Sequence, residues 1–282
     1  MIHRKSNHMN IEKLTPQIGA VIREINLNEK VTDAMIEKMK EAFYKHLVIF
    51  IEDQNIDPNQ FIKFSKHFGE LGVYPFVKGI DDFPEIVEVR KKKDEKINFG
   101  GLWHTDTSYL PEPPASSMLY ALEIPPVGGD TLFSNMYLAY ENLTPAYKSI
   151  LSNLRGYNTS DKADAAVTRT HRMADSPKNT DSIKTYAFHP IVRTHPVTKK
   201  LSLYCSNAHT THIEGMSNEE SKGILKFLFS QQTKEEYTCR YKWKKGTIAL
   251  WDNIACQHNA LNDYHGFERV MYRITHKGTK PY

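Results

Sequence analysis

The sequence lacks several features that would place it in a specialised class of protein. Its three cysteines, Cys205, Cys239 and Cys256, are widely spaced and form no C-x-x-C pair. This pattern argues against a disulfide framework and favours reduced thiols in a cytoplasmic protein. No apolar run is long enough to span a membrane, and the polar N-terminus has no apolar stretch like that of a signal peptide. We therefore expect no membrane partner.

A strong excess of charge is also missing. The chain has 37 basic and 33 acidic residues, which leaves a formal net charge of +4. Because the basic residues are scattered, we expect no nucleic-acid partner. Hydrophobic residues make up 40% of the 282 residues and charged residues 25%, as is typical of a soluble globular protein with a sizeable core. No repeat or linker divides the chain, which predicts a single domain over residues 1–282.

Hydrophobic periodicity predicts a mixed α and β chain. In the first half, predicted strands cover residues 20–25, 47–51, 85–90, 102–109, 118–123 and 131–134, and predicted helices follow Thr32 and Asp57 and cover 135–142 and 145–154. In the C-terminal third, predicted strands cover residues 186–193, 201–206, 237–243, 247–251 and 268–275, with one helix opened by a capping box at Ser217. Many short strands separated by turns favour a double-sheet jelly roll with flanking helices.

Three local predictions accompany this assignment. The helix after Asp57 places Phe61, Phe64 and Phe68 on one core-facing side, and Gly69 is a plausible C-cap. Residues 91–96 are predicted to form a solvated, charged loop. Residues 156–184 are polar and aperiodic, which is typical of either a lid over a functional site or a disordered surface insertion.

The segment 103–108 contains the first chemical signal, His104 and Asp106. Side chains two apart on a strand point to the same face, so this imidazole and this carboxylate could bind one metal ion. A third ligand would complete the 2-His-1-carboxylate set, which leaves positions on Fe(II) open for oxygen and a co-substrate. Taken alone, the pair is better explained as a hydrogen-bonded histidine beside a turn or capping acid, and the metal interpretation depends on matching residues downstream.

Matching residues occur downstream. His258 follows a strand that ends in Trp251-Asp252-Asn253, and Arg269 and Arg273 lie four apart on the next strand, hence on one face. An Fe(II) site whose co-substrate is a dicarboxylate needs such a guanidinium to bind the distal carboxylate, and the hydroxyl of Thr131 could help. Cys256 lies two residues before His258, and we interpret it as a buried structural thiol.

With these motifs the chain resembles the TauD/TfdA family of Fe(II)- and 2-oxoglutarate-dependent dioxygenases, the taurine dioxygenase group. The matching stretches run in order from about residue 11 to the C-terminus and comprise Trp103–Asp106, Pro125–Thr131, Val192–Pro196, Trp251–Asn253 with Gln257–His258, and Arg269 with Arg273. The resemblance implies a double-stranded β-helix, a jelly-roll and cupin-like core with flanking helices. It also implies Fe(II), 2-oxoglutarate and O2 as cofactor and co-substrates, with succinate and CO2 as products.

By position, the resemblance implies His104, Asp106 and His258 as the catalytic iron ligands. It implies that Thr131 and Arg269 bind 2-oxoglutarate. Substrate-binding roles fall to Arg273, Tyr74, Trp251 and His209, of which Arg273 would pair with an acidic group of a small organic anion such as a sulfonate, sulfate ester or carboxylate. Arg273 could instead form a structural salt bridge. A homo-oligomer fits the resemblance, although no stretch identifies an interface.

Three departures from taurine enzymes concern the substrate. Gly100 stands where those enzymes have an asparagine, and the stretch from Glu70 to Pro75 is shorter and lacks their histidine. His209 stands where an aromatic pocket residue is expected. His209 and His212 form an H-x-x-H, but on a strand they would face opposite ways, which argues against a second metal site. His189 and His195 are interpreted as structural, and His3, His8 and His171 as exposed.

Two alternatives keep part of this interpretation. The same cofactors could support desaturation or another oxidative outcome in place of hydroxylation. A jelly-roll protein could also bind 2-oxoglutarate or an anion without turnover, but that alternative requires a missing ligand or a blocked site, and no such defect is visible in the sequence.

Overall fold

The computed structural model describes residues 9–162 and 186–282. Along the chain its elements are β1 (Asn10–Lys13), β2 (Ala20–Arg23), α1 (Asp33–His46), β3 (Val48–Ile51), α2 (Pro58–Ser65), β4 (Leu71–Gly72), β5 (Val87–Lys91), β6 (Ser116–Glu123), β7 (Thr131–Asn135), α3 (Met136–Glu141), α4 (Pro145–Leu151), β8 (Arg155–Thr159), β9 (Tyr186–Pro190), β10 (Val192–Thr194), β11 (Leu201–Leu203), β12 (Thr210–Ile213), α5 (Asn218–Gln232), a 3₁₀ helix (Glu235–Tyr237), β13 (Thr238–Tyr241), β14 (Ile248–Asp252), β15 (Cys256–Ala260) and β16 (Arg269–His276).

Two sheets form the framework of the functional site. The larger has eight strands in the order β1-β2-β3-β14-β6-β16-β4, with β5 also paired to β16, and the smaller has the order β13-β7-β15. The pairs are antiparallel except β2 with β3. This is the jelly-roll core with flanking helices that the strand pattern predicts, and the predicted fold class is confirmed.

A buried aromatic layer joins the two sheets. The Phe50 ring of β3 stacks on the Tyr241 ring of β13 with centroids 3.7 Å apart, and it meets the Phe133 ring of β7 edge-on at 5.6 Å. Cys256 lies in the same cluster, where burial raises the pKa of its thiol well above the usual range. The thiol is therefore protonated and packs in the core, in agreement with the structural role expected for it.

Helices α1 and α2 cover the outer face of the large sheet, and their caps form where the sequence predicts them. Thr32 accepts a hydrogen bond from the Met35 amide at the start of α1. Asp57 and Gln60 form a reciprocal capping box at the start of α2. The apolar faces of both helices, including Phe61 and Phe64, join the core on that side of the sheet. Local side-chain to backbone bonds thus fix the helix starts.

Several local predictions are wrong. Helix α2 ends at Ser65 with Lys66 as its C-cap, because the next amides bond three residues back, Phe68 to Ser65 among them, and this tightens the chain into turns. Phe68 and Gly69 therefore lie beyond the helix. Lys91 is the buried end of β5 and not part of a solvated loop. It pairs with Arg269 of β16, and its ammonium lies over the Tyr264 ring, 4.2 Å from the ring centroid.

The predicted lid at 156–184 begins in a strand, since Arg155–Thr159 form β8. Residues 163–184 of that segment lie outside the described residues, as do His3, His8 and His171. Strands β12 and β15 were not predicted, and the predicted strand 186–193 is two strands separated at Ile191, whose amide bonds Leu154. In the described ranges, every helix is too short or too polar to cross a membrane.

Candidate metal centre

His104 and His258 are backbone partners. The His104 amide donates to the His258 carbonyl at 3.0 Å, and the His258 amide donates to the His104 carbonyl at 2.9 Å. His104 is thus held by one antiparallel bridge to β15, and the expected strand at 102–109 is absent because the chain turns after it, with Thr107 at φ 44°. Directly paired residues point to one face of the ladder, and the two imidazole centroids lie 4.1 Å apart.

Asp106 completes a compact group of donors. Its Oδ1 lies 3.6 Å from His104 Nε2 and 3.7 Å from His258 Nε2. The three ligand atoms lie within 4.8 Å of one another, all three residues are buried, and among the described residues this is the group that could hold a metal ion. Two imidazole nitrogens and one carboxylate oxygen on one side of a site suit Fe(II) with open positions.

Hydrogen bonds and charges keep these donors in the protonation states that a metal requires. His104 Nδ1 lies 2.6 Å from the Leu102 carbonyl; because a carbonyl only accepts, Nδ1 carries the proton and Nε2 presents its lone pair. Burial, assisted by His104, lowers the pKa of His258 well below its usual range, so this imidazole is neutral. Burial alone would raise the pKa of Asp106, but Arg273 and the two histidines hold it well below its usual range.

A cavity lies against these donors, and its walls include Thr131, Phe133, Trp243, Trp251, Arg269 and Arg273. Arg269 is buried, and its Nε and Nη2 have no hydrogen-bond partner in the described part of the chain. The Trp243 indole donates to Thr131 Oγ1 at 2.9 Å, and the Arg269 guanidinium lies 5.5 Å from the Trp243 ring. A buried cation with unused donors, next to a hydroxyl, is an arrangement that suits a carboxylate ligand.

Arg273 lies on the same face of β16 as Arg269 and points to the donor group. Its Nη2 is 2.9 Å from Asp106 Oδ1, so the ion pair that the sequence leaves as an alternative does form. The same guanidinium lies 5.3 Å from the Tyr74 ring and 6.0 Å from the Phe99 ring. Arg273 therefore contacts the Asp106 carboxylate and also lies near two aromatic rings.

The remaining predicted site residues lie around this centre at different distances. Trp251 lines the cavity with its ring centroid 4.8 Å from that of His258. His209 lies 5.9 Å from His104 and 5.0 Å from Tyr109, ring to ring. Tyr74 contacts Arg273 but belongs to the wall of an adjoining cavity that also includes Thr107. The structure thus brings all of these predicted residues to one region.

The H-x-x-H pair is separated for a different reason from the one expected. His209 lies in the turn before β12, where its amide bonds the Ser206 carbonyl, so the two histidines do not share a strand. His212, on β12, stacks on the Tyr157 ring at 4.7 Å. Sequence reasoning missed Trp243 and Phe99, because a single aromatic next to a turn carries no periodic signal.

Gly100 lies directly against the imidazole of His104. Its φ is +80°, and a Cβ added there would lie 3.2 Å from His104 Cε1. A side chain at this position would both strain the backbone and crowd the imidazole. The asparagine side chain expected from taurine enzymes is thus absent at the position where the backbone closely approaches His104.

His195 forms a buried structural pair with Asp252. The amides of Val197 and Thr198 donate to His195 Nδ1, so Nε2 carries the proton and donates to Asp252 Oδ2 at 2.9 Å. Asp252 Oδ1 also accepts the Ile254 amide. This pair joins the segment after β10 to the end of β14. The chain then turns into β15, which carries His258.

His195→Ala is expected to lower the free energy of unfolding by about 2–4 kcal/mol, because it leaves a buried carboxylate oxygen and two backbone amides without their partner. Urea denaturation of the purified variant measures the change. His212→Ala, which removes a partly exposed ring, is the matched control and should cost less than about 1 kcal/mol. Equal losses in the two variants would contradict the structural role of the pair.

The chain matches one family model over residues 10–275, described as taurine catabolism dioxygenase TauD, TfdA family. Among curated proteins, it is 30% identical over 284 residues to an alkylsulfatase of Acinetobacter baylyi, covering 98% of this chain and 87% of that protein. Among solved structures, a taurine dioxygenase from Burkholderia xenovorans superposes with a TM-score of 0.81 at 30% identity, covering 97% and 90% of the two chains.

A second solved structure is informative about ligands. AAD-2, determined in complex with Mn(II) and N-oxalylglycine, superposes with a TM-score of 0.77 at 25% identity, and the match covers 97% of this chain and 99% of that one. All these matches extend over nearly the whole chain, as the order of the sequence motifs predicts.

Proposed function

The chain belongs to the TauD/TfdA family of taurine catabolism dioxygenases, and we propose that it hydroxylates a small organic anion with Fe(II), 2-oxoglutarate and O2. The observation that carries the proposal is the convergence of His104, Asp106 and His258 on one point beside the buried Arg269 guanidinium. Such a donor set with an adjacent dicarboxylate-binding cation is what this chemistry requires.

The donor set fits the metal. His104 Nε2, His258 Nε2 and Asp106 Oδ1 belong to buried residues and lie within 4.8 Å of one another, and these three residues would hold Fe(II). When bound, Fe(II) and O2 would convert 2-oxoglutarate to succinate and CO2, and the second oxygen atom would enter a C–H bond of the substrate. The protein orients these groups and excludes side reactions.

Arg269 and Thr131 would hold the co-substrate. The unused donors of Arg269 offer a fork to the distal carboxylate of 2-oxoglutarate, and a planar guanidinium binds a carboxylate with two parallel hydrogen bonds. Trp243 donates its indole proton to Thr131, which leaves the threonine hydroxyl proton available for the same carboxylate. Both residues line the cavity that contains the metal ligands.

Arg273, with Tyr74, Trp251 and His209 around the donors, would bind the substrate. The guanidinium would pair with an anionic head group, while the Tyr74 and Phe99 rings beside it suit an apolar body. A sulfonate, a sulfate ester or a carboxylate could supply the anionic head group. The names of two relatives support sulfate esters and sulfonates, since one is an alkylsulfatase and the other a taurine dioxygenase. Hydroxylation of the carbon attached to a sulfonate would give an unstable product that collapses to an aldehyde and sulfite. Hydroxylation of the carbon attached to an ether oxygen would release an alcohol in the same way, and hydroxylation next to a sulfate ester oxygen would release sulfate.

The direct experiment is a substrate panel scored by substrate-stimulated O2 uptake and succinate formation. Alkyl sulfates, alkyl sulfonates, taurine and phenoxyacetates are supplied to the Fe(II)- and 2-oxoglutarate-loaded enzyme. We expect at least one member to stimulate uptake, with a hydroxylated or collapsed product in the mass spectrum. A desaturated product would show that the enzyme catalyses desaturation and not hydroxylation. Binding of 2-oxoglutarate without any turnover would contradict the proposal.

Arg273→Ala is expected to raise the KM for the anionic substrate by about 10²-fold, because loss of a buried charge partner costs about 2–5 kcal/mol. Some succinate formation in the absence of substrate should persist, since the variant removes the ion-pair partner of Asp106 but leaves the three donor residues and Arg269 in place. Arg273→Lys, which keeps the charge but not the fork, should restore part of the affinity. A rise in the KM for 2-oxoglutarate with no change for substrate would contradict this assignment.

A further inference from the structure

We propose that Trp251, Asn253 and Ser117 form a hydrogen-bond chain with one fixed direction that positions Asp106 for metal binding. The Trp251 indole Nε1 lies 3.0 Å from Asn253 Oδ1, Asn253 Nδ2 lies 2.8 Å from Ser117 Oγ, and Ser117 Oγ lies 2.5 Å from Asp106 Oδ2. The inference rests on the proposed function, because its effect is exerted on the metal. Ser117 is a positioning residue, because it would act on the ion only through its hydrogen bond to the Asp106 carboxylate.

The direction of the chain follows from the donor inventory. An indole N–H only donates, so the Asn253 oxygen must face Trp251 and its NH2 group must face Ser117. An amide NH2 also only donates, so Ser117 Oγ is the acceptor at that contact. The single hydroxyl proton of Ser117 then goes to Asp106 Oδ2. No other arrangement of protons satisfies all three contacts.

The surroundings hold this chain in place. Ser117 and Asn253 have no exposed surface, and Trp251 is 3% exposed. Trp251 and Ser117 are cross-strand partners in the β14–β6 register. Thr105, which lies between the two ligands of the turn, donates its hydroxyl to the Asn253 carbonyl at 2.5 Å. Buried and mutually oriented bonds of this kind are stronger than exposed ones.

The consequence concerns which carboxylate oxygen faces the metal. The terminal torsion of an aspartate is broad and roughly two-fold, so an unconstrained Asp106 could present either oxygen or both. The Ser117 hydroxyl binds Oδ2, and Oδ1 is the atom that faces both histidine nitrogens. The chain therefore favours ligation through Oδ1 alone.

The test measures Co(II) binding in the presence of 2-oxoglutarate under anaerobic conditions, by calorimetry and by the visible absorption of the bound ion. Ser117→Ala is expected to weaken Co(II) binding by about 10–100-fold, the usual effect of losing such a partner, and to change the Co(II) spectrum. Ser116→Ala is the matched control, since its hydroxyl bonds His276 on the other side of the same strand, and it should change neither. Thermal unfolding of each variant separates folding from metal binding.

Each outcome has a defined meaning. Wild-type affinity and an unchanged spectrum in Ser117→Ala would overturn the inference while the metal site stands, whereas absence of Co(II) binding by the wild-type protein would overturn the proposed function as well. If Ser117→Ala does not fold, Trp251→Phe keeps the ring but removes the indole proton that sets the direction. A several-fold loss of Co(II) affinity with an altered spectrum in Trp251→Phe supports the chain, and an unchanged spectrum contradicts it.

Discussion

Asp106→Ala is expected to lower substrate-coupled succinate formation by at least about 10³-fold, equal to about 4 kcal/mol of transition-state stabilisation. The carboxylate is the anionic member of the donor set, and its Oδ1 lies 3.6 and 3.7 Å from the two histidine nitrogens. Removing it leaves only the two imidazoles as donors and places the Arg273 cation next to them without a counter-charge. Succinate assays with saturating Fe(II), together with the bound-metal content, measure both effects.

Asp81→Ala is the control for loss of an acidic side chain, because Asp81 is 92% exposed and pairs only with Lys78 in the described structure. It should retain the activity and metal content of the unmodified protein. Metal-dependent succinate formation that survives in Asp106→Ala would show that another donor set performs the chemistry. His104→Ala provides the same test from the neighbouring ligand.

Arg269→Met is expected to raise the KM for 2-oxoglutarate by about 10²–10³-fold, because a buried, charge-assisted contact with a carboxylate is worth several kcal/mol. Methionine keeps much of the buried stem but removes the charge and the fork. The guanidinium has two unused donor nitrogens and is 5% exposed, so its desolvation opposes folding. Replacing such a group by an apolar one of similar size often leaves stability unchanged or higher.

The Arg269→Met experiment therefore has two separable readouts. The KM for 2-oxoglutarate should rise, or the affinity for N-oxalylglycine should fall, while the free energy of unfolding does not decrease. Arg240→Met, at a largely exposed arginine that pairs with Asp130, is the matched control and should leave the KM within about threefold. A stability loss with normal 2-oxoglutarate affinity would assign Arg269 to the fold and not to the co-substrate.

Local elements were predictable because their signals are local. The capping boxes at Asp57 and Ser217 and the N-cap at Thr32 each use atoms within one helical turn, and all three form as predicted. The errors occur where a distant partner decides the outcome. Lys91 is charged and looks like a loop residue, but pairing with Arg269 across β5 and β16 makes it a buried strand end.

The strand ends near the site show the same limit. β15 contains His258 but lacks a clear alternation, since its first three residues are all buried, and its existence depends on pairing with β7. The expected strand at His104 is one backbone bridge, because the antiparallel partner continues while the chain carrying Asp106 turns away. A period-two pattern cannot distinguish these cases, since it contains no information about the partner.

The sequence by itself determined which groups this protein has available: two histidines and a carboxylate in metal-ligand order, two arginines in register, and the motifs of the TauD/TfdA family. Tertiary structure alone decided that Asp106 presents Oδ1 to both imidazoles, that Arg273 contacts the same oxygen, and that Trp251 is linked to Asp106 through Asn253 and Ser117. The physical reason is that a hydrogen bond or ion pair is made or lost when a distance changes by a few tenths of an ångström, and several of these contacts join residues more than a hundred positions apart. Only the packing of the two sheets sets those distances.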